Sequence, residues 1–172
     1  MIKMINSIII VFCSTILGIY TANKYVSRVR ELRALQMAFT QLETEMMYYC
    51  TFFPEALKNI SINLPEQLKS FFDIIVKNLI AEPGCMIQNA WENALDNSKQ
   101  KLHLSEDDYD ILYAFGNHIA TSDKESQHRY FELIQIQLKQ QEKKAQQECD
   151  KYSKMYRNLG ILVGLAIVIV LL

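Results

Sequence analysis

The sequence predicts an all-α chain: a compact helical bundle of roughly six helices, with N- and C-terminal transmembrane helices and a long C-terminal stalk helix. Three observations carry this. Only five Gly and three Pro interrupt 172 residues, too few turn formers for an all-β chain. Apolar residues in the middle recur at alternating intervals of three and four, the spacing of one helix face. Charge is also segregated. The first twenty residues and the last fourteen are nearly charge-free, whereas the centre is an ordinary charged sequence. The length suggests one domain, and a net charge of −1 gives nucleic acid no electrostatic footing.

In chain order, the first element is the apolar run at 8–20, inside a charge-free stretch at 4–23. A hydrocarbon core of roughly 30 Å needs about 20 such residues. Lys3 precedes the run, while Lys24, Arg28, Arg30 and Arg33 follow it, and no small-x-small site separates the two. That charge order favours an uncleaved anchor over a signal peptide. Leu32, Leu35, Phe39, Leu42, Met46 and Tyr49 then form one amphipathic stripe, too short for a dedicated coiled coil and suited to a bundle.

Pro54 and Pro65 each stand where a first helical turn begins. Leu68, Phe71, Phe72, Ile75 and Leu79 mark the inner face after Pro65. Pro83-Gly84 breaks the chain, and helix resumes near Met86, carrying Ile87, Ala90, Trp91, Ala94 and Leu95 inward. Residues 96–103 read as a polar loop. Ser105 with Asp108, and Ser122 with Glu125, have capping-box spacing and start the last two helices.

The final helix has no visible stop before Gly160 and, at about fifty residues, would reach about 75 Å. Tyr130, Phe131, Ile134 and Leu138 can pack on the domain, whereas 139–154 is polar nearly all round and is expected to bridge solvent. The first and last helices therefore form two antiparallel stalks. The closing apolar run at 158–172 covers only about 21 Å over its last fourteen residues, short of the usual span. Tyr156, Arg157 and Asn158 can extend it at the interface, and a shallow or re-entrant insertion is the alternative.

The expected organisation is thus a transmembrane helix at 4–23, a cytoplasmic helical domain with stalks at 24–157, and a transmembrane helix at 158–172. Lys151, Lys154 and Arg157 precede the last run and no cation follows it. Both flanks accordingly place the middle domain in the cytoplasm and both termini on the opposite side. Ser14-x-x-x-Gly18 and Gly160-x-x-x-Gly164 have the spacing of membrane-helix packing motifs.

Catalytic patterns are missing. No phosphate-cradling Gly loop, H-E-x-x-H or G-x-S-x-G occurs. His103, His118 and His128 and the four cysteines have no metal-ligand spacing. Scattered thiols suit a cytoplasmic compartment. The sequence predicts no enzyme, cofactor or metal, which leaves interaction roles.

A family resemblance narrows these. Leu42-Glu-Thr-Glu-Met-Met-Tyr48, Phe53-Pro-Glu-Ala-Leu57, Ala90-Trp91-x-x-Ala-Leu95, Phe115-Gly-x-x-Ile-Ala-Thr-Ser-Asp123 with Gln127, and Tyr156-Arg-x-Leu-Gly-Ile-Leu-x-Gly164 together resemble stage III sporulation protein AB of endospore-forming Firmicutes. The likeness runs over essentially the whole chain. It departs at Phe53, where the family usually has Leu, and at Ala120, where it has Gly. The resemblance implies a component of the channel assembly in the mother-cell membrane around the forespore, required for spore formation. The cytoplasmic domain would be similar to those of type II secretion and type IV pilus platform proteins.

The partners implied are a cytoplasmic secretion-type ATPase, other membrane proteins of the same channel complex, and the lipid bilayer. Glu43, Glu45, Glu55 and Asp123 are acids at shared positions and form the expected ATPase-docking set, set against plain capping and solvated-face roles. The rival expectation is a self-assembling membrane scaffold, a homo-oligomer through coiled-coil stalks, without ATPase coupling.

Overall fold

The computed structural model describes residues 2–81, 84–119 and 124–171. Among them lie six helices and no strand: α1 (Ile2–Met47), α2 (Phe53–Ser61), α3 (Glu66–Ala81), α4 (Ile87–Ser98), α5 (Glu106–Ile119) and α6 (Lys124–Leu171). The chain divides into two compact units, Arg30–Glu142 and Met1–Val29 with Lys143–Leu172.

The larger unit is an all-α bundle around Trp91. The α1 stripe buries Leu32, Leu35, Phe39 and Leu42; α3 adds Leu68, Phe71, Phe72 and Ile75; α6 adds Phe131, Ile134 and Leu138. The Trp91 indole has ring-centroid distances of 5.3 Å to Phe71, 5.4 Å to Phe115, 6.2 Å to Phe39 and 6.4 Å to Phe72. The Phe71 ring meets it nearly edge-on, at 85°, an arrangement the ring quadrupoles favour. Its Nε1–H, fully buried, donates to the Leu112 carbonyl at 2.8 Å, so the core's one indole leaves no donor unpaired. Gly116 lets α5 approach this ring. A Cβ there would sit 2.7 Å from Trp91 Cγ.

Local signals set several helix ends. Pro occupies the first turn of α2. The Ser105 box starts α5, with the Ser105 amide donating to the buried Asp108 carboxylate at 2.8 Å. The second box, at Ser122, falls outside the described residues. α1 ends in a left-handed residue that is not glycine, Cys50 with φ 52°. The Tyr49 amide reaches back to the Thr44 carbonyl at 3.3 Å and the Thr51 amide to the Glu45 carbonyl at 3.0 Å, longer returns than the helix's own four-residue step, which close the end of α1.

Three expectations are corrected. The 96–103 stretch is not all loop. α4 runs on to Ser98, whose Oγ donates to the Ala94 carbonyl at 2.7 Å, and Leu102 is buried. Tyr49 leaves the buried stripe, because the helix stops at Met47 and the turn swings the ring out. The polar stretch 139–154 is not merely solvent-bridging. It buries Gln141 in the larger unit and Ala145 in the smaller.

In the smaller unit the outer parts of α1 and α6 pack antiparallel, with Ser14 at Gly160, Tyr25 at Tyr152 and Arg28 at Glu148. Large apolar side chains point away from this pair, among them Phe12, Leu17, Ile19, Leu162 and Ile169. Among the described residues no helix is long and apolar enough to cross a membrane.

Candidate functional site

No group of three or more His, Cys, Asp or Glu among the described residues could hold a metal ion. The hollow beside Ile111, His118 and Tyr130 measures about 20 Å³, room for one water. A larger one of about 300 Å³, beside Ser126, Arg129, Tyr130 and Leu133, is an open surface dish. His118 stacks on Tyr130 with a centroid distance of 4.1 Å.

The acids singled out from the sequence do not form one cluster of uncommitted charges. Glu43 pairs with His128 of α6, its oxygen 2.8 Å from Nδ1. Glu45 turns the other way. It accepts from Thr51 Oγ1 at 2.8 Å and Asn59 Nδ2 at 3.4 Å, tying the turn after α1 to α2. Glu55 is exposed in the first turn of α2, one turn before Asn59. Asp123 lies outside the described residues.

Between these acids stands a feature the sequence reading missed. Tyr48, Tyr49 and Phe52 are 79%, 73% and 82% exposed. The next residue, Phe53, is only 8% exposed and plugs the core. Exposed large apolar side chains that are contiguous in this way mark contact surfaces. The turn holding them is braced by the Glu45 bonds and by the backbone returns to Thr44 and Glu45. The signal available in the sequence was the Tyr-Tyr-Cys-Thr-Phe-Phe run just before Pro54.

A buried charge was also missed. Glu31 on α1 is 5% exposed and accepts from the His103 amide at 2.7 Å, with its other oxygen 2.8 Å from His103 Nδ1. This pair ties α1 to the loop before α5. Nearby, burial raises the Tyr109 hydroxyl pKa well above the ordinary phenol value, and Glu31 adds to the rise. Arg33 donates to Glu142 at 2.7 Å, and that hydrogen bond holds the Glu142 carboxyl below its usual pKa.

In the smaller unit, Ser14 Oγ donates to the Gly160 carbonyl at 2.6 Å. A Cβ at Gly18 would lie 2.7 Å from the Tyr156 carbonyl oxygen and 2.9 Å from Gly160 Cα. A Cβ at Gly160 would lie 2.9 Å from the Ser14 carbonyl oxygen. Gly164 is buried as well. Three of the four small residues thus sit at one helix crossing, where only a missing side chain allows the approach.

The family profile of stage III sporulation protein AB (spore_III_AB) matches residues 3–172. The stage III sporulation protein AB of Bacillus subtilis (strain 168) is 30% identical over 172 residues, covering 100% of both chains. A solved structure of stage III sporulation protein AB superposes with a TM-score of 0.67 at 27% identity, covering 72% of this chain and 96% of that one. Helical bundle, whole-length profile and whole-length relative agree, and the chain belongs to the stage III sporulation protein AB family.

Proposed function

We propose that this protein is a membrane platform component of a sporulation channel, and that its helical domain docks a cytoplasmic secretion-type ATPase through the aromatic turn after α1. The carrying observation is that turn. Tyr48, Tyr49 and Phe52 are held out to solvent by a braced cap, with Glu55 exposed beside them. Rigid exposed aromatics supply contact area at little entropic cost, which is the profile of interface anchors. The docking set expected from the sequence is reduced accordingly. Glu43 and Glu45 position the turn and its surroundings, Glu55 offers a charge to a basic rim, and the rings supply the binding energy. No catalytic step is assigned to the chain.

The membrane part of the reading rests on the apolar stretches at 4–23 and 158–172 and on the outward-facing Phe12, Leu17, Ile19, Leu162 and Ile169. Such side chains are at home in lipid. The placement proposed is the mother-cell membrane around the forespore, with the helical domain in the cytoplasm and both termini across the bilayer. Other proteins of the channel complex would share that membrane.

The test is a pull-down of the ATPase by the full chain in detergent, beside the triple variant Tyr48→Ser, Tyr49→Ser, Phe52→Ser. Loss of clustered aromatic anchors is expected to weaken association by about 30-fold or more, the equivalent of roughly 2 kcal/mol. Micromolar wild-type protein that captures no ATPase would sink the docking proposal. The scaffold alternative draws no support from the small-residue crossing of Ser14, Gly18 and Gly160, which is filled within one chain. It predicts oligomers of the full chain without any ATPase, which mass measurement across concentrations would detect.

A further inference from the structure

The two ends of the chain carry an unusual charge distribution. All 19 acidic residues fall between Glu31 and Asp150, so no carboxylate side chain stands in the first thirty positions or after 150. Lys24, Lys151, Lys154 and Arg157 lie in those acid-free segments, and all four are exposed. The α6 cations recur every third residue, which keeps them on neighbouring faces of successive turns. They span about 9 Å along the axis, close to the thickness of one headgroup layer.

The packing fixes where Lys24 stands. The Tyr25 ring lies 5.6 Å from that of Tyr152 and 5.9 Å from that of Tyr156. Lys24 is therefore level with the α6 cations, and a tyrosine cluster runs through the same band. On one side of the band come the exposed apolar residues Leu17, Ile19, Leu159 and Leu162. On the other side, Arg28 is paired with Glu148 at 2.8 Å. The order along the helix pair is thus apolar, then tyrosine and cation together, then ion-paired. That order matches hydrocarbon, headgroup layer and water.

We infer that the band of Lys24, Lys151, Lys154 and Arg157 is a binding surface for the phosphate headgroups of anionic lipids. This rests on the membrane reading above and goes beyond it. Crossing a bilayer requires only apolar length, whereas four exposed cations at one level select the lipid that meets them. Near a membrane surface each such cation favours an anionic headgroup by about fivefold. The nearest carboxylates in the sequence are Glu148, paired with Arg28 at 2.8 Å, and Asp150, which accepts from Gln146 Nε2 at 2.9 Å, so the band keeps a net positive charge. The tyrosines hold the band at interface depth.

The experiment reconstitutes the full chain into vesicles of equal phosphatidylcholine and phosphatidylglycerol, extracts it in mild detergent, and counts retained lipids by native mass spectrometry. Phosphatidylglycerol is expected to be retained about fivefold or more over phosphatidylcholine. The preference should fall at roughly 0.5 M salt and persist when inorganic phosphate is added, which separates a lipid site from a phosphate site. The variant Lys24→Gln, Lys151→Gln, Lys154→Gln, Arg157→Gln should return the ratio to that of the vesicle. A charge-retaining set, with each Lys as Arg and Arg157 as Lys, should keep it. Should the four-fold variant misfold, the salt series on wild type decides alone. Retained lipids that mirror the vesicle, in a chain that resists alkaline extraction, would overturn the inference while leaving the membrane reading standing. Alkaline release of the wild-type chain would remove both.

Discussion

Replacing Gly116 by Ala tests the core at its tightest point. On an exposed helix face this change is favourable by about 1 kcal/mol, because Ala loses less backbone entropy than Gly. Here the added methyl would lie 2.7 Å from Trp91 Cγ and 2.9 Å from Nε1. The indole cannot yield easily. It is fully buried, ringed by Phe39, Phe71, Phe72 and Phe115, and pinned by its 2.8 Å bond to the Leu112 carbonyl. Overpacking a core site costs about 1–3 kcal/mol. A shift that breaks the Nε1–H bond adds about 1–3 kcal/mol for an orphaned donor. Set against the helix gain, the net destabilisation is about 1–5 kcal/mol. For a chain of 172 residues each kcal/mol lowers Tm by about 2–4 °C, so a fall of roughly 2–20 °C is expected. Thermal melts by circular dichroism read it, and the fluorescence of the protein's one tryptophan reports whether the indole has moved. A variant that melts at or above the wild-type temperature with unchanged fluorescence would refute the reasoning.

Two further outcomes follow from the charged pairs. Glu31→Ala removes the acceptor for the His103 amide and the partner of its ring, and should lower stability by about 2–3 kcal/mol in denaturant titration, the scale of a hydrogen bond to a charged group. An effect under about 0.5 kcal/mol would mean that water replaces the carboxylate. The second outcome concerns acid. Because Arg33 holds the Glu142 pKa below its unfolded value, the pair stabilises the fold above the ordinary Glu pKa of about 4.3 and loses this as pH falls through the lower folded value. Arg33 is more than half exposed, so solvent screening limits the gain to under about 1 kcal/mol. Melts of Glu142→Gln should therefore lie slightly below wild type at neutral pH and converge with it in acid. A gap that widens in acid would reverse the sign.

How legible the molecule was in its sequence depends on how far apart the interacting residues stand. Helix stripes, proline starts and the Ser105–Asp108 box are settled within a few positions, and the corresponding helices occur where those signals put them. What stayed hidden was decided at a distance. Glu31 follows a basic run and reads as a surface charge, because its partner His103 is 72 residues away. Gly116 reads as an ordinary helix glycine until Trp91 is set against it. Residues 139–154 read as solvated because Gln141 and Ala145 are not apolar enough to announce a face, although both are buried.

The aromatic turn is the instructive case for function. The three-four spacing continues through Tyr49, and no Gly marks the end of α1. Cys50 takes the left-handed conformation usually left to Gly or Asn. A non-glycine residue held there is strained, and the bonds from Thr51 and Asn59 to Glu45 are what keep the turn in place. A helix that ended with Gly would have reached the same turn with less strain. The stripe rule fails at the point where the chain departs from local preference, and that departure carries Tyr48, Tyr49 and Phe52 out of the core and onto the surface proposed for docking.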